Sequence, residues 1–227
     1  KELDLALYEH RTDLSVHSLK DLPMEVPTDL PVLGYSRREA PQDVLVLPLG
    51  CTRLDPHKPV GTSSPRRRAQ LAQLYPDCQI CPVRGNILTR LQKLDNGGCG
   101  PLALAAAGLV RLGLSHRISR LFTIDEMVPA AGQGILAVQA REDFDAGLLA
   151  GFFDADAGWQ AQAERSFVRT LGGGCTSPVA AYAAVCGERM ILTGLVAEEG
   201  AGGVKKMSLQ APKQEAEQLG MRLAERF

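Results

Sequence analysis

The sequence predicts an α/β protein with a small α+β unit at its C-terminal end. Two observations carry this. Short apolar runs bounded by turn residues, at 14–16, 44–49, 59–61, 79–83 and 102–106, alternate with helix-like stretches of about ten residues. Such alternation argues for βα units around a parallel sheet. The style then changes at Asp154-Ala-Asp-Ala-Gly158, where we place a boundary, and residues 179–185, 190–196 and 206–209 read as strands before a final helix over 213–227. Gly200-Ala-Gly-Gly203 is a loop between two of them.

The helices follow from caps and periods. Residues 65–74 begin with proline behind two serines, the arrangement of a capped helix start. Residues 87–94 place Ile87, Leu91 and Leu94 on one face. Residues 108–112 form a shorter candidate, and 158–171 set Trp159, Ala163, Phe167 and Leu171 at steps of four.

Composition narrows the function classes. The chain has 227 residues, 45% of them hydrophobic, with Lys+Arg 25 against Asp+Glu 26, so it is not a globally basic nucleic-acid binder. Its longest apolar stretch, 101–110, is far short of the ~20 residues that span a bilayer, and the opening residues are no signal peptide. The expectation is a cytoplasmic protein with neither membrane nor nucleic acid as partner. Six irregularly spaced cysteines fit reduced thiols rather than a disulfide framework. Charge is uneven, however: between residues 60 and 120 eight arginines and one lysine face two aspartates. Guanidinium forks suit bidentate capture of carboxylate or phosphate.

Four stretches carry chemistry. Val16-His-Ser-Leu-Lys-Asp-Leu-Pro23 runs from a strand into a turn, setting Ser18, Lys20 and Asp21 at a carboxyl-end edge, where ligands of open α/β sheets bind. Read alone it is also ordinary turn surface, and His17 is a packed strand residue rather than a base. Gly61-Thr-Ser-Ser-Pro-Arg-Arg-Arg68 puts cations into the first turn of a helix, against the macrodipole. An anion bound there by Ser63, Ser64, Arg66 and Arg67 would explain that cost, whereas a capped helix with solvated arginines would not. Val83-Arg-Gly-Asn-Ile-Leu-Thr-Arg90 repeats the design with Arg84 and Arg90. Leu171-Gly-Gly-Gly-Cys-Thr-Ser-Pro178 exposes Cys175 between glycines, and a thiolate there would be a nucleophile. Cys78 and Cys81 have metal-site spacing but no second pair, so they read as structural.

Together with Arg38-Glu-Ala-Pro-Gln-Asp43 and Ala131-Gly-Gln-Gly134, these motifs closely resemble, in order and spacing, the porphobilinogen deaminase (hydroxymethylbilane synthase) family. The resemblance covers essentially the whole chain. It implies two periplasmic-binding-protein-like (type II) α/β domains, with the chain crossing between them, and a third α+β domain. The first would comprise residues 1–38 and 132–154, the second 39–131 and the third 155–227. Since the family normally starts some tens of residues earlier, the N-terminal part of the first domain is expected to be missing. The resemblance also implies that Asp21 is catalytic and that Cys175 anchors dipyrromethane by a thioether. Ser18, Lys20, Asp21, Ser63, Ser64, Arg66, Arg67, Arg84 and Arg90 would hold that cofactor. Arg84, Arg90, Arg111 and Gln133 would hold substrate. No metal is implied, and a monomer is expected.

The implied reaction condenses four porphobilinogen molecules head to tail on a two-pyrrole primer. Each substrate brings two carboxylates, which accounts for an arginine-rich island. Loss of ammonia leaves an electrophilic azafulvene attacked by a pyrrole α-carbon, and one carboxylate near the pyrrole nitrogens can stabilise each cationic stage. The rival from another class is a non-catalytic two-lobed module that binds a small anion.

Overall fold

The structure is a computed structural model that describes residues 2–174, 177–197 and 203–227. The chain opens with helix α1 (Glu2–Tyr8), strand β1 (Leu14–Ser18) and strand β2 (Val32–Tyr35). It then passes into a second region: β3 (Asp43–Val46), β4 (Val60–Gly61), α2 (Pro65–Leu74), β5 (Ile80–Cys81), α3 (Ile87–Asp95), β6 (Leu102–Ala105), α4 (Ala106–Arg111) and β7 (Arg120–Leu121). A return segment leads to β8 (Leu136–Ala140), and the tail holds α5 (Ala155–Thr170), β9 (Val179–Cys186), β10 (Arg189–Ala197), β11 (Val204–Pro212) and α6 (Ala216–Ala224).

Three sheets result. The first has the order β1-β8-β2 and is antiparallel throughout, so β8 returns to sit between two strands laid down more than a hundred residues earlier. The second has the order β5-β4-β6-β3-β7. The third, β11-β10-β9, is antiparallel and packs α5 and α6 around Phe167, Met190, Leu192, Leu219 and Leu223.

The α/β class with a small α+β tail is thus as expected, but the wholly parallel sheet is not. Only β4 with β5 and β4 with β6 pair in parallel, whereas β3 lies antiparallel to both β6 and β7. The cause is topological: β3 enters the second sheet straight from the first without a helix of its own, so it need not obey the right-handed crossover that makes βαβ neighbours parallel.

The two passages between the first and second regions lie side by side. Glu39 N donates to Gly134 O at 3.0 Å, and Gly134 has φ +92, with a hypothetical Cβ only 2.3 Å from Glu39 O. No side chain fits there, which explains a glycine at this crossing. A fully buried carboxylate, Glu164 of α5, fastens the tail to the same place. It accepts from Arg38 Nη1 at 2.5 Å, from Gly132 N at 2.6 Å and from Ala183 N at 2.7 Å, while Arg38 Nε reaches Gln133 O.

Candidate active site

Every strand that runs into a helix in the second sheet points its carboxyl end at one cleft, and β1 of the first sheet faces it from the other side. The cavity measures about 740 Å³. Such a placement at the carboxyl ends of strands is where α/β sheets bind ligands.

From β1, a 3₁₀ turn over Leu19–Asp21 follows directly. Leu19 is fully buried and pins the turn, leaving Ser18, Lys20 and Asp21 on the cleft wall. Burial, and secondarily Arg67, push the Lys20 ammonium down to about 8. His17 remains within β1, its Nε2 3.0 Å from Gln139 Oε1, as a packed strand residue.

From β4, Ser63 Oγ donates to Val83 O at 2.9 Å, tying the ends of β4 and β5 together. Ser64 is the N-cap of α2 and accepts from Arg67 N, with Pro65 as the first helical residue. Ser63, Ser64, Arg66 and Arg67 all border the cleft. The two arginines nonetheless have an internal partner that the sequence did not reveal. Asp43, fully buried at the start of β3, accepts from Arg66 Nη1 at 2.6 Å and from Arg67 Nε at 2.9 Å. Burial alone would raise the Asp43 pKa, but the two guanidiniums outweigh it and hold the carboxyl well below the usual range. The cost of cations at this helix start is therefore met by a carboxylate of the protein, and no bound anion is needed to explain it.

From β5, Asn86 caps α3 by accepting from Thr89 N at 2.8 Å, and Arg90 Nε donates to Gly85 O at 2.7 Å. Arg90 lines the cleft; Arg84 is exposed and does not. Arg84, expected to act with Arg90, is an exposed residue just before Gly85, whose φ is +121. From β6, α4 carries Arg111 to the cleft, where its Nη2 donates to Gly134 O at 2.7 Å. Gln133 lines the cleft too; its Nε2 donates to Pro41 O and Asp43 Oδ1, and its buried Oε1 has no partner among the described residues.

The tail closes one side through Val168, Gly174, Ser177 and Val179. Cys175 lies outside the described residues; Gly174 and Ser177, on either side of it in sequence, border the cleft. Sequence reasoning missed Asp43 and Glu164, single acids without local pattern, and the apolar lining residues Met24, Leu88 and Leu112. Asp43 does end the Arg38–Asp43 motif, and a buried strand start after proline was the available signal. Among the described residues no group of His, Cys, Asp and Glu could hold a metal ion, and no helix is long and apolar enough to cross a membrane.

Comparison with known proteins gives the family. A family model described as the dipyrromethane cofactor binding domain of porphobilinogen deaminase matches residues 1–148, and one for the C-terminal domain of that enzyme matches residues 159–227. A porphobilinogen deaminase of Acetivibrio thermocellus is 51% identical over 224 residues, covering 99% of this chain and 76% of the relative. One of Alkaliphilus oremlandii is 50% identical, covering 99% and 75%. Among solved structures, a Salmonella typhimurium periplasmic binding protein with high arginine specificity aligns at 17% identity and a TM-score of 0.37, over 73% of this chain and 74% of that one. With two family models covering nearly all of its residues and relatives at half identity, the chain belongs to the porphobilinogen deaminase family.

Proposed function

We propose that this chain is a transferase that condenses four porphobilinogen molecules stepwise on a dipyrromethane primer, with release of ammonia, in tetrapyrrole biosynthesis. The observation that carries this reading is the lining of the cleft. Among its described lining residues Asp21 is the only carboxylate, on the same turn as Lys20 and in a cleft that Arg90 and Arg111 also border. That donor set fits a group bearing several carboxylates. Lys20, Arg90, Arg111 and the hydroxyls of Ser18 and Ser64 hold carboxylates in it, while Ser63, whose hydroxyl proton goes to Val83 O, fixes the backbone beside them. Arg66 and Arg67, whose charge is shared with Asp43, form a fixed positive floor. Gln133 contributes to the wall beside them, and Arg84, outside the cleft, adds charge to its approach. Dipyrromethane, when bound through Cys175, supplies the pyrrole α-carbon to which substrate is joined.

Asp21 accepts from pyrrole N–H groups and stabilises positive charge as it develops on the substrate after ammonia leaves. A charged group already in place costs no reorganisation at that moment. The division into residues 1–38 with 132–154, 39–131 and 155–227 is consistent with the three sheets. A monomeric, cytoplasmic enzyme is the accompanying expectation. The non-catalytic anion-binding module is the less favoured reading.

Intact mass of the protein purified under mild conditions separates the two. We expect an excess of two pyrrole units, mapping to Cys175; the mass of the bare chain, or an adduct on Cys51, Cys78, Cys81, Cys99 or Cys186, would overturn the assignment. In Asp21→Asn, single-turnover formation of the first enzyme–substrate adduct should slow by roughly 10²–10³ with binding nearly intact. Near-wild-type rates across pH would remove Asp21 from the chemistry.

A further inference from the structure

The cleft has an apolar lip that none of the roles above uses. Leu88, the second residue of α3, is 56% exposed, and Leu112, which caps the C-terminal end of α4, is 48% exposed, yet both border the cavity. The packing of the two helices sets them together. Gly108 lies one helical turn before Leu112, and a Cβ at Gly108 would sit 2.4 Å from Ile87 Cδ1, so Ile87 seats in the notch the glycine leaves. That contact draws the start of α3 against α4 and places Leu88 and Leu112 on adjoining helices. The cavity that the two leucines border is bordered by Arg90 and Arg111 as well, one from each of the same two helices.

Apolar side chains with a few charged groups among them are the usual lining of a small-molecule site. Two leucines and two guanidiniums on one cavity border match a chain whose repeating unit is an apolar ring carrying two carboxylates. Size points the same way. A cavity of about 740 Å³ is within the ~300–1,000 Å³ that accommodates one drug-sized ligand, whereas a primer extended by four substrates is several times a single substrate. The extended chain therefore reaches the border of the cavity, where Leu88 and Leu112 lie half exposed.

We propose that Leu88 and Leu112 form a landing for the later-added pyrrole units, whose rings pack on the leucines while their carboxylates meet Arg90 and Arg111. This rests on the deaminase reading. Both leucines are positioning residues for late additions and have no part in the first. Because the side chains are exposed, replacing them should leave the fold intact.

The test uses the holoenzyme bearing Leu88→Asn and Leu112→Asn together, mixed with limiting porphobilinogen and followed by intact mass. The first addition should proceed at the wild-type rate, and later ones should slow by about tenfold, so that partly extended species accumulate. Hydrogen exchange gives a readout independent of turnover. The first two amides of α3 precede its first i−4 bond and its cap bond, so covering them should raise protection at residues 87 and 88, in wild-type protein, only after the later additions. A wild-type distribution of adducts in the variant, or protection at 87 and 88 that is unchanged or complete after one addition, would overturn the landing. Absence of any porphobilinogen adduct in the wild-type protein would instead overturn the deaminase reading and the landing with it.

Discussion

Two helix starts in the second sheet look alike in sequence and behave differently in the fold. Gly61-Thr-Ser-Ser-Pro-Arg-Arg opens α2 and Arg84-Gly-Asn-Ile-Leu-Thr-Arg90 opens α3, each after a strand end and each with arginines close by. At α2 the guanidiniums are buried and bound to Asp43, with Arg66 also reaching Val128 O and Arg67 reaching Ala103 O. At α3, Arg90 is tied through Nε to a carbonyl and its side chain borders the cleft. The difference shows that arginine beside a helix start is not by itself a ligand site. A buried carboxylate from a distant strand shares the charge of one pair, whereas Arg90 meets a backbone carbonyl and borders the cleft.

The sharpest way to break this comparison is Asp43→Asn. Two buried guanidiniums would lose their counter-charge, which typically costs about 3–5 kcal/mol. Urea unfolding should register that loss. The variant should also lose part of the wild-type acid sensitivity: a carboxyl held below its unfolded value contributes stability that is present above about pH 4 and fades as pH falls towards its folded pKa. A loss under 1 kcal/mol would mean that the α2 arginines are not scaffold.

Arg90→Leu tests the other side. Its guanidinium is not part of the buried core, so unfolding should shift by no more than about 0.5 kcal/mol. Affinity for a carboxylate-bearing substrate should fall by about 1.5–3 kcal/mol, the worth of a hydrogen bond to a charged group. If stability collapses instead while binding holds, the roles of the two helix starts are reversed.

The same contrast explains what could be read from the chain. Helix α2 begins and ends where the sequence places it, at Pro65 and Leu74, because its cap and proline are local signals. The tail strands were legible for a similar reason, β9 and β10 differing from expectation by no more than one residue at either end. Strands β2 and β8 escaped notice. Leu136–Ala140 is short and nearly all apolar, and becomes a central strand only because β1 and β2 flank it. The cleft residues carried by motifs could be named in advance; Asp43 and Glu164 could not. A lone acid gains meaning only from the arginines that tertiary folding brings to it, and those lie 23 residues away for Asp43 and 126 for Glu164.

The smallest expected effect concerns Lys20, which lies between the two kinds of cation. It is half-buried, less so than the α2 arginines, and it borders the cleft like Arg90; desolvation followed by repulsion from Arg67 lowers its pKa to about 8. Below that pH the ammonium attracts carboxylates; above it the charge is lost from the unliganded protein. A bound carboxylate favours the charged form and raises the pKa of the complex. Affinity should therefore be level from about pH 6 to 8 and decline above 8 by up to tenfold per unit, until the pKa of the complex is reached. Lys20→Arg should flatten that limb, because guanidinium keeps its charge throughout this range. Binding of substrate at short times, before turnover, gives the profile in wild-type protein; Asp21→Asn would shift it to lower pH, because the Asp21 carboxylate raises the Lys20 pKa. A wild-type profile level from pH 7 to 9.5, or the same decline in the arginine variant, would place Lys20 with the α2 arginines as scaffold, its charge already committed within the protein.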